Sequence, residues 1–149
     1  MKWLVVVLLS SLFSSCFLFP KYKRTSFSYT SNGQAKTIPV LVPRGYHKQT
    51  LETDSTGTII QQYNYGNSLF YIAYLQDTGK AIQPIIEEEN IPRVAEATGA
   101  RVYKGMDSAS LLWREVRNGK IRVGYRFVPK ALEERFDSAT NFSLVRAVE

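Results

Sequence analysis

The chain of 149 residues has one cysteine and one histidine, and its first acidic residue is Glu52. Because Cys16 is the only cysteine, residues 17–149 cannot hold a disulfide, a zinc–thiolate site or a cysteine nucleophile. Only one long apolar run is present, at the start of the chain, which excludes a polytopic membrane protein. There is no internal repeat and no low-complexity segment.

What is present is an ordinary globular composition. Hydrophobic residues make up 44% of the chain, aromatic residues 13% and charged residues 21%. These values exclude intrinsic disorder, and collagenous and coiled-coil architectures. A chain of this length can bury about two thirds of its unfolded surface, so one domain needs no metal or disulfide to be stable.

The first sixteen residues carry a three-part secretory signal. Met1-Lys2 precedes an apolar stretch at residues 3–13, and Ser14-Ser15-Cys16 follows. Residues 14–16 resemble the lipobox of bacterial lipoprotein precursors, although Phe13 stands where that family has Leu, Val or Ile. Relaxed lipoboxes of this kind are similar to those of Bacteroidota. The resemblance implies that residues 1–15 are removed as a signal peptide and that Cys16 carries acyl chains.

Two alternatives remain open at this point. Residues 3–19 could form an uncleaved membrane anchor, or Cys16 could be incidental to an ordinary cleavage nearby. All three interpretations place the rest of the chain outside the cytoplasm. No acidic cluster follows Cys16, which by resemblance to known sorting patterns implies an outer membrane location facing the periplasm.

The positive charge is concentrated close to this segment. The formal net charge is +6, and residues 17–50 contain six basic side chains and no acid. Residues 51–149 hold 12 basic and 13 acidic side chains, so this larger part is nearly neutral. Basic residues next to a membrane anchor favour an anionic leaflet. We therefore expect a membrane partner and no nucleic acid.

Residues 16–24 are predicted to be a short lipidated tether and residues 25–149 a single domain. Predicted strands at residues 26–30 and 36–42 flank Ser31-Asn32-Gly33, a turn in which Asn-Gly tolerates positive φ. Pro39 lies in the second of these strands and cannot donate a ladder hydrogen bond. It therefore indicates a sheet edge.

Two further strands, at residues 46–53 and 58–65, flank the turn Asp54-Ser55-Thr56-Gly57. Gly66-Asn67 then joins residues 58–65 to a strand at residues 68–75, and this two-residue loop fits a type II′ hairpin. Residues 69–75 are apolar on both faces. This pattern predicts a central strand that is covered on each side.

A second hairpin is predicted at Asn118-Gly119, and its two-residue loop places Trp113 opposite Gly124. Alternation then divides the two strands into an apolar and a polar face. The apolar face contains Leu112, Val116, Ile121, Val123, Tyr125 and Phe127. The polar face contains Trp113, Glu115, Arg117, Lys120, Arg122 and Arg126.

Two helices are predicted. A short middle helix at residues 90–99 has Asn90 as N-cap and Gly99 as its end. A C-terminal helix at residues 129–139 begins with Pro129 and has an apolar stripe of Leu132, Phe136 and Ala139. Residues 142–148 could extend this helix or add a strand.

The predicted fold class is therefore α+β, an antiparallel β-meander or sandwich of about six to eight strands with a short middle helix and a C-terminal helix. By analogy it resembles the PsbP/Mog1-type sandwich or small bacterial lipoproteins of unknown function. A closed barrel of the lipocalin kind is the alternative.

The chemistry-bearing residues do not form a catalytic motif. His47 stands in Tyr46-His47-Lys48, where the lysine would oppose protonation of the imidazole. Asp54-Ser55 is better explained as part of a turn than as part of a triad. Glu87-Glu88-Glu89 lacks the spacing of a calcium loop, because adjacent side chains point apart. We expect no enzyme, no metal site and no cofactor.

Aromatic residues are the one unusual feature. Tyr63, Tyr65, Phe70 and Tyr74 are predicted to share one sheet face and to offer a binding surface. The alternative is that they are sheet-forming residues that pack beneath the helix. Trp113 with Arg122 and Arg126 is a second possible contact patch.

The sequence thus predicts a lipid-anchored, non-enzymatic accessory or binding protein of a bacterial envelope. Acyl chains on Cys16 would fix it to the membrane, and an aromatic sheet face would contact another envelope protein. The alternative function is an envelope hydrolase that uses His47 with a nearby carboxylate.

Overall fold

The computed structural model describes residues 21–76 and 100–145 of the chain. The predicted signal peptide, Cys16, the acidic run Glu87-Glu88-Glu89 and the predicted helix at residues 90–99 lie outside these described residues. Within them the chain forms eight antiparallel strands and a C-terminal helix, which confirms the predicted α+β fold.

In chain order the strands are β1 (Tyr22–Ser31), β2 (Gln34–Pro43), β3 (Lys48–Thr53), β4 (Ile59–Tyr65), β5 (Ser68–Tyr74), β6 (Arg101–Met106), β7 (Leu112–Asn118) and β8 (Ile121–Val128). A 3-10 turn at Lys130–Leu132 leads into the helix α1 (Glu133–Val145). The first strand thus begins three residues before the predicted start of the domain. The residues after 142 continue the helix as far as Val145, which decides between the two predicted alternatives.

Strands β1 and β2 form a hairpin of their own. Its turn has positive φ angles at both Asn32 (52°) and Gly33 (75°), as a type I′ turn requires. The ladder runs from Ser31 opposite Gln34 to Tyr22 opposite Pro43. Pro39 lies in β2, whose only strand partner among the described residues is β1. The predicted position of Pro39 at a sheet edge is therefore confirmed.

The other six strands form an open sheet in the order β3-β4-β5-β8-β7-β6. Strand β5 lies at its centre, between β4 and β8, and every residue of β5 except Leu69 is buried. This confirms the predicted central strand with cover on both faces. Gly66 has a φ of 78° at the first position of the β4–β5 turn, which agrees with the predicted type II′ hairpin.

The first face of this sheet is covered by the β1–β2 hairpin and by α1. Hairpin, sheet and helix side chains together form the main hydrophobic core. Its members are Phe27, Ile38, Val40, Val42, Tyr63, Phe70, Ile72, Tyr74, Leu112, Ile121, Val123, Tyr125, Val128, Phe136 and Ala139. The opposite side of the six-stranded sheet is called the second face below.

The β7–β8 hairpin has a different register from the predicted one. Asn118 pairs with Ile121, so Gly119 and Lys120 form the turn, with a φ of 52° at Gly119. Glycine at the first turn position permits this turn, because a type II′ turn needs positive φ only there. The register differs by two residues from the prediction. The two faces are unchanged, because side chains alternate with a period of two.

Two predicted core residues are at the surface instead. Phe127 has a φ of 57° and is 44% exposed, since the left-handed backbone turns its side chain outward and Val128 takes the buried place. Leu132 lies in the 3-10 turn before α1 and is 38% exposed. The rest of the predicted stripe, Phe136 and Ala139, is buried as expected.

An arginine on the first face fixes α1 against the sheet. Nη1 of Arg114 lies 3.1 Å from Oδ1 of Asp137 and donates to Oγ1 of Thr140 at 2.9 Å. Nη2 donates to Oδ1 of Asn141 at 2.7 Å, and the Tyr125 hydroxyl donates to Oδ1 of Asp137 at 2.7 Å. The guanidinium group therefore joins β7 to two turns of the helix.

Candidate functional site

The four aromatic residues predicted to form a binding surface do share one sheet face. That face is the first face, beneath the hairpin and the helix. Tyr63 and Phe70 have no exposed surface and Tyr74 is 4% exposed. Tyr65 is half-buried, and its hydroxyl donates to the carbonyl of Pro43 at 2.5 Å. A partner could touch Tyr63, Phe70 and Tyr74 only by displacing the elements that cover the first face.

The aromatic rings of this face contact one another. The ring of Phe136 in α1 lies 5.2 Å from that of Tyr65 and 5.5 Å from that of Tyr125, both edge-on. Tyr29 of the hairpin stacks on Tyr74 at 4.3 Å. Burial raises the pKa of Tyr65, so its hydroxyl remains a donor. The chain's high tyrosine content thus serves mainly to join the layers of the fold.

The second face contains a buried carboxylate, that of Glu115 in β7. The Glu115 side chain is 1% exposed. Its Oε2 accepts from the Tyr71 hydroxyl at 2.6 Å, and its Oε1 accepts from Nε of Arg117 at 2.5 Å and Nη1 of Arg122 at 3.3 Å. A carboxylate in such a position is stable only when it is paired and hydrogen-bonded.

Tyr71 is fully buried beside this carboxylate. Its pKa is raised well above the usual value, first by burial, then by the negative charge of Glu115 and by the hydrogen bond to it. The phenol is therefore protonated at neutral pH and acts as a hydrogen-bond donor. Neither Tyr71 nor Glu115 is available as a base or a nucleophile, because each is occupied by the other.

Two glycines allow aromatic side chains to lie flat on this face. A Cβ at Gly124 would lie 2.5 Å from the Tyr71 hydroxyl oxygen and 2.5 Å from the backbone oxygen of Arg114. A Cβ at Gly105 would lie 2.5 Å from a ring carbon of Trp113. The predicted pairing of Trp113 with Gly124 is wrong, because the shifted register pairs Gly124 with Glu115. A bulge at Leu112–Arg114 leaves Trp113 without a partner in β8, so it lies opposite Gly105 of β6 alone.

Arg122 and Arg126 stand on either side of Gly124 in β8, both half-buried. Arg122 reaches Glu115 with Nη1, while its buried Nε has no hydrogen-bond partner. The side chain of Arg126 forms no hydrogen bond with the described residues. Burial lowers the pKa of Arg126, while the nearby Tyr71 and Glu115 act in the opposite direction and raise it. The structure thus brings Arg122 and Arg126 together on the second face, as predicted.

Two further arginines extend this group toward β6. The guanidinium carbon of Arg117 lies 4.3 Å from the ring centre of Tyr103, and Arg101 pairs with Arg117 in the ladder. We call the set on β6, β7 and β8 the arginine face. It consists of Arg101, Tyr103, Trp113, Glu115, Arg117, Arg122 and Arg126.

Most charged side chains of the arginine face are basic. Among the residues that the structure describes, four arginines stand there with one carboxylate, that of Glu115. Guanidinium groups offer planar pairs of donors that match carboxylates and phosphates, and they stack on aromatic rings. The arrangement can therefore bind an anionic group.

His47 lies in the turn before β3 and is exposed. Its backbone N–H donates to Asn64 at 2.8 Å, but its imidazole has no hydrogen bond or ion pair with any carboxylate of the described chain. Asp54 does serve its turn as predicted, because its Oδ1 accepts from the backbone N–H groups of Thr56 and Thr58. The Thr56 hydroxyl also donates to it and lowers the pKa of Asp54.

The described residues offer no metal centre. Within residues 21–76 and 100–145, no three His, Cys, Asp or Glu side chains are grouped closely enough to hold an ion. Asp107 illustrates why, since its Oδ1 accepts from the backbone N–H groups of Ala109 and Leu111 and so closes a turn.

The pairing of Tyr71 with Glu115 was not predicted from the sequence. The sequence does single out Glu115, because it is the one acid on a hairpin face that is otherwise aromatic and basic. Its contact with Tyr71 depends on β5 pairing with β8, which are more than forty residues apart and have no turn that reveals the pairing. Sequence alternation can assign a face but not the neighbouring strand.

Among the described residues, no helix has both the length and the apolar character needed to cross a bilayer.

The predicted contact residues lie on two surfaces of the sheet, the first face and the arginine face. Comparison with protein-family models, with curated proteins and with solved structures finds no match to this chain.

Proposed function

We propose that this protein is a lipid-anchored accessory or binding protein of a bacterial envelope. In this proposal, residues 1–15 are removed as a signal peptide, Cys16 carries the acyl chains, and the domain faces the periplasm from the outer membrane. The resemblance of residues 14–16 to a lipobox supports the anchorage. Acyl chains contribute about 0.8 kcal/mol per buried CH₂, so two or three of them would hold the protein permanently.

The position of the first strand supports a close approach to the membrane. Strand β1 begins at Tyr22, so only five residues separate it from Cys16. Even fully extended, this segment would span about 20 Å. The domain would therefore stay next to the bilayer, and a partner would have to be an envelope component within that reach.

The contact surface that we propose is the arginine face, and the single observation that carries it is that Arg122 and Arg126 stand together there with incomplete hydrogen bonding among the described residues. Arg126 has no hydrogen bond within the described chain, and Nε of Arg122 is buried without a partner. Guanidinium groups in such places gain most from an anionic ligand. Trp113 lies beside them and adds the flat apolar area that protein contacts favour.

The anchorage is tested with Cys16→Ser, in parallel with Ser11→Ala as a control that keeps the thiol. We expect the Cys16→Ser protein to leave the membrane fraction and the control to remain there. Mass spectrometry of the control should show an acylated N-terminal cysteine. A free thiol with an intact Met1 would contradict the proposal.

The contact surface is tested by replacing Trp113 with a photo-crosslinking amino acid in cells. We expect one envelope component to be captured, and its yield to fall at least tenfold with Arg122→Gln and Arg126→Gln together. The control is Lys36→Gln with Lys104→Gln, which removes two positive charges outside the arginine face. Equal yields from both double variants would contradict the arginine face as the contact surface.

A further inference from the structure

A second basic surface lies at the end of the domain where the chain enters β1. Because β1 and β2 are antiparallel, Tyr22 at the start of one strand is opposite Pro43 at the end of the other. Exposed basic side chains surround this point. We call this set the basic corner, and its members are Lys21, Lys23, Arg24 and Arg44.

The backbone of the basic corner is held by hydrogen bonds. The N–H of Arg44 donates to the carbonyl of Lys21 at 3.0 Å, and its Nε donates to Tyr22 at 3.2 Å. From α1, Nη2 of Arg135 donates to the carbonyls of Lys21 and Arg44 at 2.9 and 2.8 Å. The helix thus fixes both strand ends, so the charges are displayed in a defined arrangement.

The side chains of the basic corner have no acidic neighbour in their own segments. Residues 17–50, which include the whole hairpin and the turn after it, contain no Asp or Glu. Nζ of Lys23 bonds to the hydroxyl of Tyr46 at 2.7 Å and lies 5.2 Å from the centre of that ring. Neutral groups therefore position this lysine, and its charge is not compensated by them.

We propose that the basic corner binds the anionic headgroups of the membrane to which the chain is attached, and thereby fixes the orientation of the domain. This inference rests on the proposed anchorage at Cys16. The occupant is argued from position and charge. The five residues between Cys16 and Tyr22 keep the basic corner within about 20 Å of the bilayer, where each Lys or Arg is attracted by an anionic surface.

Binding of the basic corner to the membrane also sets the direction in which the far end of the β1–β2 hairpin points. The Asn32-Gly33 turn lies at the far end of the hairpin, and Lys36 is seven residues along β2 from Pro43. At about 3.3 Å per residue, Lys36 is about 23 Å from the corner. The distal turn would then project away from the membrane, into the aqueous compartment.

The test is a lysine footprint of the full chain, reconstituted into vesicles of phosphatidylcholine alone or with 30% phosphatidylglycerol. An amine-acetylating reagent modifies exposed lysines, and mass spectrometry reads each site. On anionic vesicles we expect at least fivefold slower acetylation of Lys21 and Lys23, with Lys36 and Lys104 unchanged. The protection should disappear in 0.5 M NaCl, because salt screens exposed charges.

A matched pair of variants tests the contribution of individual charges. Arg24→Gln with Arg44→Gln should lower the membrane affinity of the basic corner by about fivefold for each charge removed, and the protection of the remaining corner lysines should largely disappear. Lys36→Gln with Lys104→Gln, the control, should leave it unchanged. Identical footprints on both vesicle types, in a chain that floats with both, would overturn the inference while leaving the anchorage intact.

The remaining outcomes also decide the question. A chain that does not float with either vesicle type contradicts the anchorage, and with it the inference. Equal protection of Lys36 and Lys104 overturns a defined orientation. Protection of the corner lysines by a polyglutamate peptide but not by anionic vesicles assigns the corner to an acidic protein and overturns a lipid partner.

Discussion

The hydroxyl of Tyr71 in β5 donates to Oε2 of Glu115 in β7 across 2.6 Å, although β8 lies between the two strands. The contact is possible because Gly124 of β8 has no side chain there. A Cβ at Gly124 would lie 2.5 Å from the Tyr71 hydroxyl. Tyr71, Gly124 and Glu115 on three adjacent strands therefore form one unit. The arginines of the second face lie around this unit.

The first prediction concerns the charge at the centre of this unit. Glu115→Gln should lower the free energy of unfolding by about 3–5 kcal/mol, because it leaves partly buried arginines without their carboxylate. Tyr71→Phe should cost only about 1.5–3 kcal/mol, the usual value for a hydrogen bond to a charged group. Urea denaturation of both single variants and the double variant measures the coupling. Strictly additive losses would contradict a direct interaction.

The second prediction concerns alkaline pH. Tyr71 has a pKa above the usual value of 10.0, and burial also raises the pKa of Tyr125. Below pH 10 both hydroxyls are protonated in the folded and the unfolded chain. Above it the unfolded chain loses its protons first, so the free energy of unfolding falls by about 1.4 kcal/mol per pH unit for each such tyrosine.

The measurement is urea denaturation between pH 8 and pH 11.5. The slope above pH 10 should be shallower in Tyr125→Phe, which removes one of these groups and keeps the ring of the core. A variant with the wild-type slope would show that Tyr125 does not carry this pH dependence.

The third prediction compares two glycines that both face an aromatic ring. Gly105→Ala and Gly124→Ala should each destabilise the fold by about 1–3 kcal/mol, as is usual for overpacking, with Gly124→Ala at the upper end. The reason for the difference is the atom that each new Cβ would meet. At Gly105 it is the Trp113 ring, which can move, and at Gly124 it includes the backbone oxygen of Arg114.

A second substitution separates the two cases. Trp113→Leu should recover most of the stability lost in Gly105→Ala, because the three atoms nearest the new Cβ all belong to the Trp113 ring. Tyr71→Leu should not rescue Gly124→Ala, since the backbone oxygen stays in place. Thermal denaturation of the four proteins measures this, and rescue at both positions would contradict the distinction.

The fourth prediction concerns the attachment of α1. Asp137→Ala removes the carboxylate that accepts from Tyr125 and pairs with Arg114, whose side chain is 9% exposed. We expect a loss of about 2–4 kcal/mol, because the arginine would remain largely buried without its counter-charge. Hydrogen exchange should become faster throughout Glu133–Val145. The exposed Glu134→Gln in the same helix is the control and should change stability by at most about 0.5 kcal/mol.

Local sequence signals predicted most of the strands and turns. Asn32-Gly33 and Gly66-Asn67 each form the predicted turn, because glycine supplies the positive φ that these hairpins require. At Asn118-Gly119 the same signal misplaced the register by two residues. Gly119 serves equally well as the first turn residue of a different hairpin type, and nothing in the four local residues distinguishes the two.

The site was less accessible to sequence reasoning, for a physical reason. Alternation correctly placed Tyr63 and Tyr74 on one face and Arg122 with Arg126 on another. It could not decide which face the hairpin and helix cover, because tyrosine suits both a core and a contact surface. That choice depends on contacts such as Tyr29 on Tyr74, between residues 45 positions apart. Phe127 was misplaced because a single left-handed residue breaks the alternation.

Pro39 and Ser143 together make the outer edge of β2 unsuitable for another strand. The N–H of Leu41 points away from β1 and donates to Oγ of Ser143 in α1 at 3.0 Å. Pro39, two residues earlier, presents its nitrogen to the same side and has no hydrogen to donate. Of two successive outward-facing nitrogens of β2, that of Leu41 is thus already bonded and that of Pro39 has no hydrogen to donate. A second copy of this protein therefore could not add a strand to this edge, and such strand addition is the usual hazard of an open sheet.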